Sequence, residues 1–366
     1  MPAPLSQQDR ELQKLLSLGG AAPPEPNSYP FNKIGAGSCG AVFAQPGSAL
    51  AFKLSKTTEF SLWNDYLQHT RIRDMLRAHN IDINIPDCHG YIRAEDAAAT
   101  LFDKTPALAD AARDVCHLPT RVLVTQRINP LPPTIRTLLT NKYCAPRIKA
   151  NALADPANRD CLVRVYLGSM AGKTGGGMFF SLRNFKLHLN HIIDLQLNLR
   201  NVCVQMARSL AIMHWAARTD ARDVEFVLGS SAGLSRRTPA FSSAEIHAFA
   251  TEATTFPSVG PDERDFFCST TQLWLLDFNL VQDIELNDNA LDKLVSAHNA
   301  NDPYYPKPCQ EHPVVEGLWN DFATAYLDTA ALVLQNEEDS KTLELPSRFI
   351  EALISQEHVK KQTKEH

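Results

Sequence analysis

The stretch Met206–Gly229, MARSLAIMHWAARTDARDVEFVLG, restricts the fold more than any other part of the chain. Its first half carries apolar residues at helical spacing on a mostly apolar background, the pattern of a helix buried in a core. It then turns polar at Arg218-Thr219-Asp220-Ala221-Arg222-Asp223 and returns to a short apolar run, Phe226-Val227-Leu228, of strand length. A charged loop between a buried helix and a buried strand sits at the rim of a core, where ionisable groups have chemical leverage. A helix C-terminus decorated with charges is the plain alternative, and the companion motifs weigh against it.

The first companion is IGAGSCGAVF, a G-x-G-x-x-G-x-V pattern at Gly35, Gly37, Gly40 and Val42. Glycines at that spacing let backbone N–H groups approach phosphates closely. Ser38 lies within the same loop. Thirteen residues after Gly40 stands Lys53, in Ala51-Phe52-Lys53, on the strand after next. A lysine there points back under the glycine loop. The segment 58–79 reads as a helix with Phe60, Trp63 and Leu67 on one face, and it offers Glu59 and Asp65 as acidic partners for Lys53. The last companion is Trp274–Leu280, WLLDFNL, a buried strand that ends at Asp277-Phe278-Asn279. In this order the motifs are similar to those of protein kinases: glycine loop, strand lysine, catalytic-loop aspartate, then an aspartate-phenylalanine pair. Asp220 matches the base that orients a nucleophile, Arg222 the basic residue two positions on, and Glu225 the metal-binding asparagine. Asp277 matches the magnesium-holding aspartate. The departures are Arg218-Thr219 for His-Arg, Glu225 for asparagine and Asn279 for glycine. Asp220 and Asp277 are also 57 residues apart, more than a kinase needs, and an insertion at 229–271 accounts for the excess.

A chain of 366 residues exceeds the roughly 250–300 at which a single core stops growing, so two lobes are expected. The expected class is α+β, a two-lobed protein-kinase-like fold. Residues 1–28 form a flexible N-terminal segment and 29–128 a small β-rich lobe. Residues 129–358 form a larger helical lobe with insertions near 134–180 and 229–271, and 359–366 a disordered tail. A net charge of −5 gives no global field toward nucleic acid or membrane, so RNA contact has to come from local patches. Arg236-Arg237 and the stretch from Lys142 to Lys149, with Arg147, are two such spots. Gly168–Thr174 is one residue short of a Walker A loop, and a run of glycines follows where a helix should begin. The eight cysteines are scattered without a C-x-x-C pair, which argues against a zinc finger and a disulfide framework; Cys309-x-x-His312 is at most half a metal site. No apolar run reaches the roughly 18 residues of a membrane span, and the polar N-terminus does not read as a signal peptide. A cytoplasmic protein with reduced thiols is the expectation.

Together with CLVRVYLG, FFSLRNFKLHLN and NDPYYPKP, these motifs resemble a fungal family of kinase-like proteins, usually described only as uncharacterised or zinc-finger, over about residues 30–335. The family includes the arginine-containing cyclodipeptide synthases. The resemblance implies synthesis of a cyclo(Arg-X) diketopiperazine from arginyl-tRNA and a second aminoacyl-tRNA, with no cofactor and with neither DNA nor membrane as partner. It implies Asp220, Lys53 and Asp277 as catalytic residues. Gly35, Gly37, Ser38, Gly40, Asp65, Arg222, Asp223 and Glu225 would bind substrate or phosphate. The competing readings are a phosphotransferase using magnesium and ATP, with Glu225 and Asp277 on the metal, and a pseudokinase-like binding module.

Overall fold

A computed structural model describes residues 30–57, 61–93, 96–175, 177–183, 185–197, 199–231 and 270–364. The chain is α+β and is built around two sheets. The first sheet holds β1 (Asn32–Ala36), β2 (Gly40–Ala44), β3 (Leu50–Ser55), β4 (Cys88–Ile92) and β5 (Val122–Gln126), all antiparallel, in the order β1-β2-β3-β5-β4. Side chains alternate across a sheet, so register decides which residues share a face. Val42 stands opposite Lys53, and Lys53 opposite Leu123, which places these three in one row on one face. Phe43, Leu54 and Val122 fall on the other face. There they form a small core with Phe102 of α2 (Asp96–Lys104) and Leu108 of α3 (Pro106–Ala112).

Between β3 and β4 runs α1 (Ser61–Ala78). Its buried positions are Leu62, Asp65, Gln68, His69, Ile72 and Leu76, whereas Leu67 is exposed. The buried stripe is therefore offset from the expected Trp63–Leu67 face, because polar side chains with partners elsewhere claim part of it. Trp63 instead joins Tyr66 and Tyr91 in an aromatic cluster. Phe60, Glu59 and the proposed helix start at Thr58 lie outside the described residues.

The second sheet holds β6 (Val163–Tyr166), β7 (Phe185–His188), β8 (Glu225–Ser231) and β9 (Thr270–Leu276), in the order β7-β6-β8-β9. Residues 134–180, expected to be an insertion, supply α4 (Pro133–Tyr143), α5 (Lys149–Ala154) and β6 itself. The expected short helix at 243–253 and Arg236-Arg237 lie outside the described residues. Next come α6 (Leu189–Asp194) and α7 (Leu199–Ala211), which closes in a π-turn at Ile212–Ala216. Then follow α8 (Asp288–Ala300), α9 (Pro313–Val333) and α10 (Ser340–Lys364). The last helix runs on into the segment expected to be a disordered tail. Its Lys, Gln and Glu residues are good helix formers, and no proline or glycine interrupts them after Pro346.

The main core joins α7, its π-turn, β8, β9 and α9. Trp215, Phe226, Phe278, Phe322 and Tyr326 are all buried in it. Truncating any of these to alanine is expected to cost about 3–5 kcal/mol. The sequence Met206–Gly229 thus becomes the buried helix, polar loop and strand that its pattern predicts, and the polar loop opens beside a cleft that both sheets line.

Candidate functional site

The upper wall of the cleft is the Lys53 face of the first sheet. Lys53 Nζ lies 2.5 Å from Asp65 Oδ2 and 2.7 Å from Asp277 Oδ1. Burial alone would lower the pKa of that ammonium, but the charges of Asp277 and Asp65 outweigh it and hold the pKa raised. Asp65 is buried and reaches Lys53 despite its short side chain. Its second oxygen accepts the backbone N–H of Phe278 at 3.1 Å. Neighbouring side chains of α1 grip the same segment. Asn64 donates to the carbonyls of Asn279 and Val281, and Gln68 to the Asp283 carboxylate. His69 packs on Phe278, with Nε2 2.6 Å from the Pro86 carbonyl; burial depresses its pKa and keeps the ring neutral.

The lower wall is a face of the second sheet. Arg164 stands opposite Val227, and Glu225 opposite Leu276. Arg164 and Glu225 form an ion pair across β6 and β8. Burial raises the Glu225 pKa; Arg164 opposes this, while Asp277 and Asp223 add to it, and the result is about 7. Asp223 also lines the cleft. Burial, then the charge of Asp277, raises its pKa, and its carboxylate has no hydrogen bond or ion pair to a described residue. At the outer end Asp160 pairs with Arg127 at 2.9 Å. Five carboxylates line the cleft (Asp65, Asp160, Asp223, Glu225 and Asp277) against the cations Lys53, Arg127 and Arg164. Carboxylates thus outnumber cations in the lining of the cleft.

The roof is the glycine loop. Gly37 N–H donates to the Gly40 carbonyl at 2.9 Å. A Cβ on Gly40 would come within 2.9 Å of the Leu54 carbonyl, so the sheet itself requires that glycine. A Cβ on Gly37 would meet nothing within 4 Å, and one on Gly35 only Val42 at ordinary contact distance. The fold leaves those two positions open for a ligand to approach. Ser38 and Cys39 are both on the cleft, with Ser38 Oγ 3.6 Å from Cys39 Sγ. Between roof and floor, Val42, Ala51 and Leu123 face Leu162, Val227 and Leu276 across an apolar slot suited to a flat ring. The cavity measures about 290 Å³, near the lower end of small-ligand pockets.

Asp220, expected to be the cleft's base, is buried and does not line the cleft. Its Oδ1 accepts from the backbone N–H groups of Arg222 at 3.0 Å and Gln282 at 2.9 Å, and its own N–H donates to the Gln282 carbonyl at 2.9 Å. It ties the polar loop to the segment after Asp277. Burial raises its pKa while those bonds pull it back. Arg222 also stays off the cleft. The loop reaches this geometry through left-handed backbone at Arg218, Ala221 and Asp223, and Asp277 has the same conformation at the end of β9. Non-glycine residues in that region carry strain of order 1–3 kcal/mol each, and they cluster at functional sites. The three-residue step from Asp220 to Asp223 through left-handed Ala221 and Asp223 puts the second carboxylate into the cleft.

The structure brings Lys53, Asp65, Asp277, Asp223, Glu225 and the glycine loop together. It adds residues that motif matching passed over: Asn64, His69, Arg127, Asp160 and Arg164. Arg164 had a signal, since it is a charge in the middle of an otherwise apolar strand. Asn64 and His69 had none beyond lying next to Asp65 and one turn after it.

A family model described as a zinc finger protein matches residues 273–338. No curated protein and no solved structure matches the chain. The matched stretch includes the end of β9, Asp277, α8 and α9, and is well short of half the chain. Among the described residues no group of three or more His, Cys, Asp or Glu is arranged to hold a metal ion. Cys309 Sγ lies 3.3 Å from Nε2 of the His358 imidazole. The residues present do not fit a zinc finger. No helix among them is long and apolar enough to cross a membrane.

Proposed function

We propose that this chain is a tRNA-dependent cyclodipeptide synthase on a kinase-like fold, joining an arginyl group and a second aminoacyl group into a cyclo(Arg-X) diketopiperazine. One observation carries the reading. The cleft pairs an apolar slot under an open glycine loop with an excess of carboxylate, and Asp223 is the carboxylate left without a partner. The slot suits the terminal adenosine of a tRNA, and Asp223 suits a guanidinium, which favours planar bidentate acceptors. The first sheet, with its glycine hairpin, strand lysine and single packed helix, supports the kinase-like part of the proposal.

An aminoacyl ester is already activated, so no ATP is consumed. The amine of one aminoacyl group attacks the ester carbonyl of the other. A C–N bond forms, a C–O bond breaks, and the tRNA hydroxyl leaves with the proton that the amine loses. The free amine of the resulting dipeptidyl-tRNA then attacks its remaining ester, forming the second C–N bond, breaking the second C–O bond and releasing the second tRNA with the amine's proton. Glu225, poised near neutral pH, is suited to take and return that proton. Lys53, held between two carboxylates, fixes the wall against which the carbonyl lies.

Purified protein mixed with arginyl-tRNA and each other aminoacyl-tRNA in turn, without ATP, is expected to give a cyclic arginine dipeptide by mass spectrometry. Failure with every second aminoacyl-tRNA in a folded preparation would sink the reading.

The Lys53–Asp65–Asp277 constellation favours a second reading, a phosphotransferase. Its metal would need Asp277 and Glu225, but Lys53 occupies Asp277 and Arg164 occupies Glu225. Magnesium there would have to share or displace these ion pairs. Magnesium-dependent ATP binding by calorimetry, with phosphate transfer to a small acceptor, would establish this reading instead.

A further inference from the structure

Charge is unevenly distributed along this chain. Residues 115–193 contain eleven Lys and Arg against two acids, Asp155 and Asp160; the remainder contains twenty-five against thirty-nine. A protein of net charge −5 thus carries a segment of net +9. Outside the segment, exposed Lys104 and Lys341 form no ion pair with a described residue, while several arginines are paired. Arg71, Arg77, Arg113, Arg200 and Arg348 each sit on a carboxylate. Lys142, Arg147, Lys149, Lys173 and Lys186 form no ion pair with any described residue.

Packing gathers these five beside the cleft. Gly175 N–H donates to the Tyr143 carbonyl at 3.0 Å, which brings the loop bearing Lys173 to the end of α4, next to Lys142. Lys149 Nζ bonds the Asn141 carbonyl in the same turn region. The Tyr143 ring lies 5.4 Å from that of Phe185, the neighbour of Lys186. In the parallel β6–β7 pair Lys186 stands beside Arg164, which lines the cleft, and so shares its face. Arg183 closes the path, reaching the Lys33 carbonyl at the base of the glycine hairpin at 2.8 Å. Between Lys173 and Arg183 the side chains of Met178 and Phe179 are each 84% exposed. Unpaired cations with an exposed aromatic, leading into a cleft with a ring-sized slot, are the equipment for a phosphate backbone and its bases.

We infer that this surface docks the phosphate backbone of a structured RNA whose end enters the cleft, with Lys142, Arg147, Lys149, Lys173 and Lys186 as the phosphate contacts. The inference deepens the proposed reaction and rests on it for the RNA's identity as a tRNA. A flat anionic membrane is disfavoured because the patch runs into a concave site.

The test is anisotropy with deacylated, labelled tRNA over a range of salt, which requires no chemistry. Five phosphate contacts predict a log–log slope of roughly −4. The triple variant Lys142→Gln/Lys173→Gln/Lys186→Gln is expected to weaken binding at least about tenfold at low salt and to flatten the slope by roughly 2–3. A control triple at exposed cations elsewhere, Lys104→Gln/Arg113→Gln/Lys341→Gln, matches the charge change and is expected to stay within about twofold. Equal behaviour of the two triples, or no tRNA binding at low salt, would overturn the docking surface. So would binding to phosphatidylcholine–phosphatidylserine vesicles through the patch in place of RNA. The two readings separate cleanly. RNA binding through the patch without cyclic dipeptide removes the reaction and keeps the surface. Cyclic dipeptide with an unchanged KM for aminoacyl-tRNA in the patch variant removes the surface and keeps the reaction.

Discussion

The two walls of the cleft use the same ingredients to opposite ends. In the upper wall Lys53 joins β3, α1 and the end of β9, three elements distant in sequence, through two short ion pairs. In the lower wall Arg164 and Glu225 pair across neighbouring strands, and the carboxylate of Asp223 beside them bonds no described residue. The upper cluster is saturated. Both clusters hold two carboxylates to one cation, but in the lower one the Asp223 carboxylate bonds no described residue and Glu225 titrates near neutral pH. A saturated buried cluster fixes geometry, and an unsaturated one is available for chemistry. In the proposed reaction, the difference gives one wall a scaffolding role and the other the proton transfer.

The strongest way to break this contrast is Lys53→Met. It leaves buried Asp65 without its counter-charge, and losing one partner of a buried pair costs about 3–5 kcal/mol. A large drop in Tm together with loss of product is expected. Adding Asp65→Leu should recover part of the stability and none of the activity, as a double-mutant cycle on denaturation midpoints would show. A Lys53→Met protein as stable as the parent would remove the scaffolding role.

The next effect concerns pH. The Glu225 carboxyl has its folded pKa raised to about 7 from an ordinary 4.5. Between those values the folded state binds the proton and the unfolded state does not. Stability therefore falls as pH rises through this window, by a few kcal/mol at most. Comparing Tm at pH 5 and pH 8 measures it, and Glu225→Gln should flatten that dependence. In the proposed reaction the same variant should abolish the acidic limb of the rate profile. An unaltered limb would move the proton acceptor to Asp223.

Asp220→Ala should cost about 2 kcal/mol, because two backbone donors lose a charged acceptor. Asp220→Asn, which can keep an acceptor there, should cost less. If Asp220→Asn instead abolished activity with Tm unchanged, Asp220 would be chemical after all, and the polar loop would serve both roles. The smallest effects sharpen the roof. Gly40→Ala should lower stability by about 1–3 kcal/mol through overpacking against the Leu54 carbonyl. Gly37→Ala should leave Tm within about 0.5 kcal/mol of the parent and raise KM. Equal stability losses at both positions would mean that the loop's glycines serve the sheet alone.

Much of this site was legible because its parts are local. The glycine hairpin, Lys53 on the following strand, the buried helix before Asp220 and the strand before Asp277 each show in the spacing of a few residues. The partner of Lys53 was legible only as a choice between Glu59 and Asp65, since the phase of α1 was set by contacts that no local pattern encodes. Apolar spacing favoured the Trp63–Leu67 face, yet Asp65 and His69 turn inward, because Lys53, Phe278 and Pro86 supply them with partners across the fold.

Asp220 and Asp223 mark the boundary between the two kinds of information. Motif order put carboxylates in this loop and made Asp220 the obvious base. Tertiary structure reversed the emphasis, as the N–H groups of Arg222 and Gln282 take Asp220 inward and left-handed backbone turns Asp223 toward the cleft. The pairing of Arg164 with Glu225 likewise depends on strand order in the second sheet. By itself the sequence determined which elements form and which ionisable groups lie at their ends, because periodicity and spacing act over a few residues. Only the tertiary structure decided which carboxylates are consumed as hydrogen-bond acceptors and which remain for a ligand, because that depends on partners up to 224 positions away, as for Lys53 and Asp277.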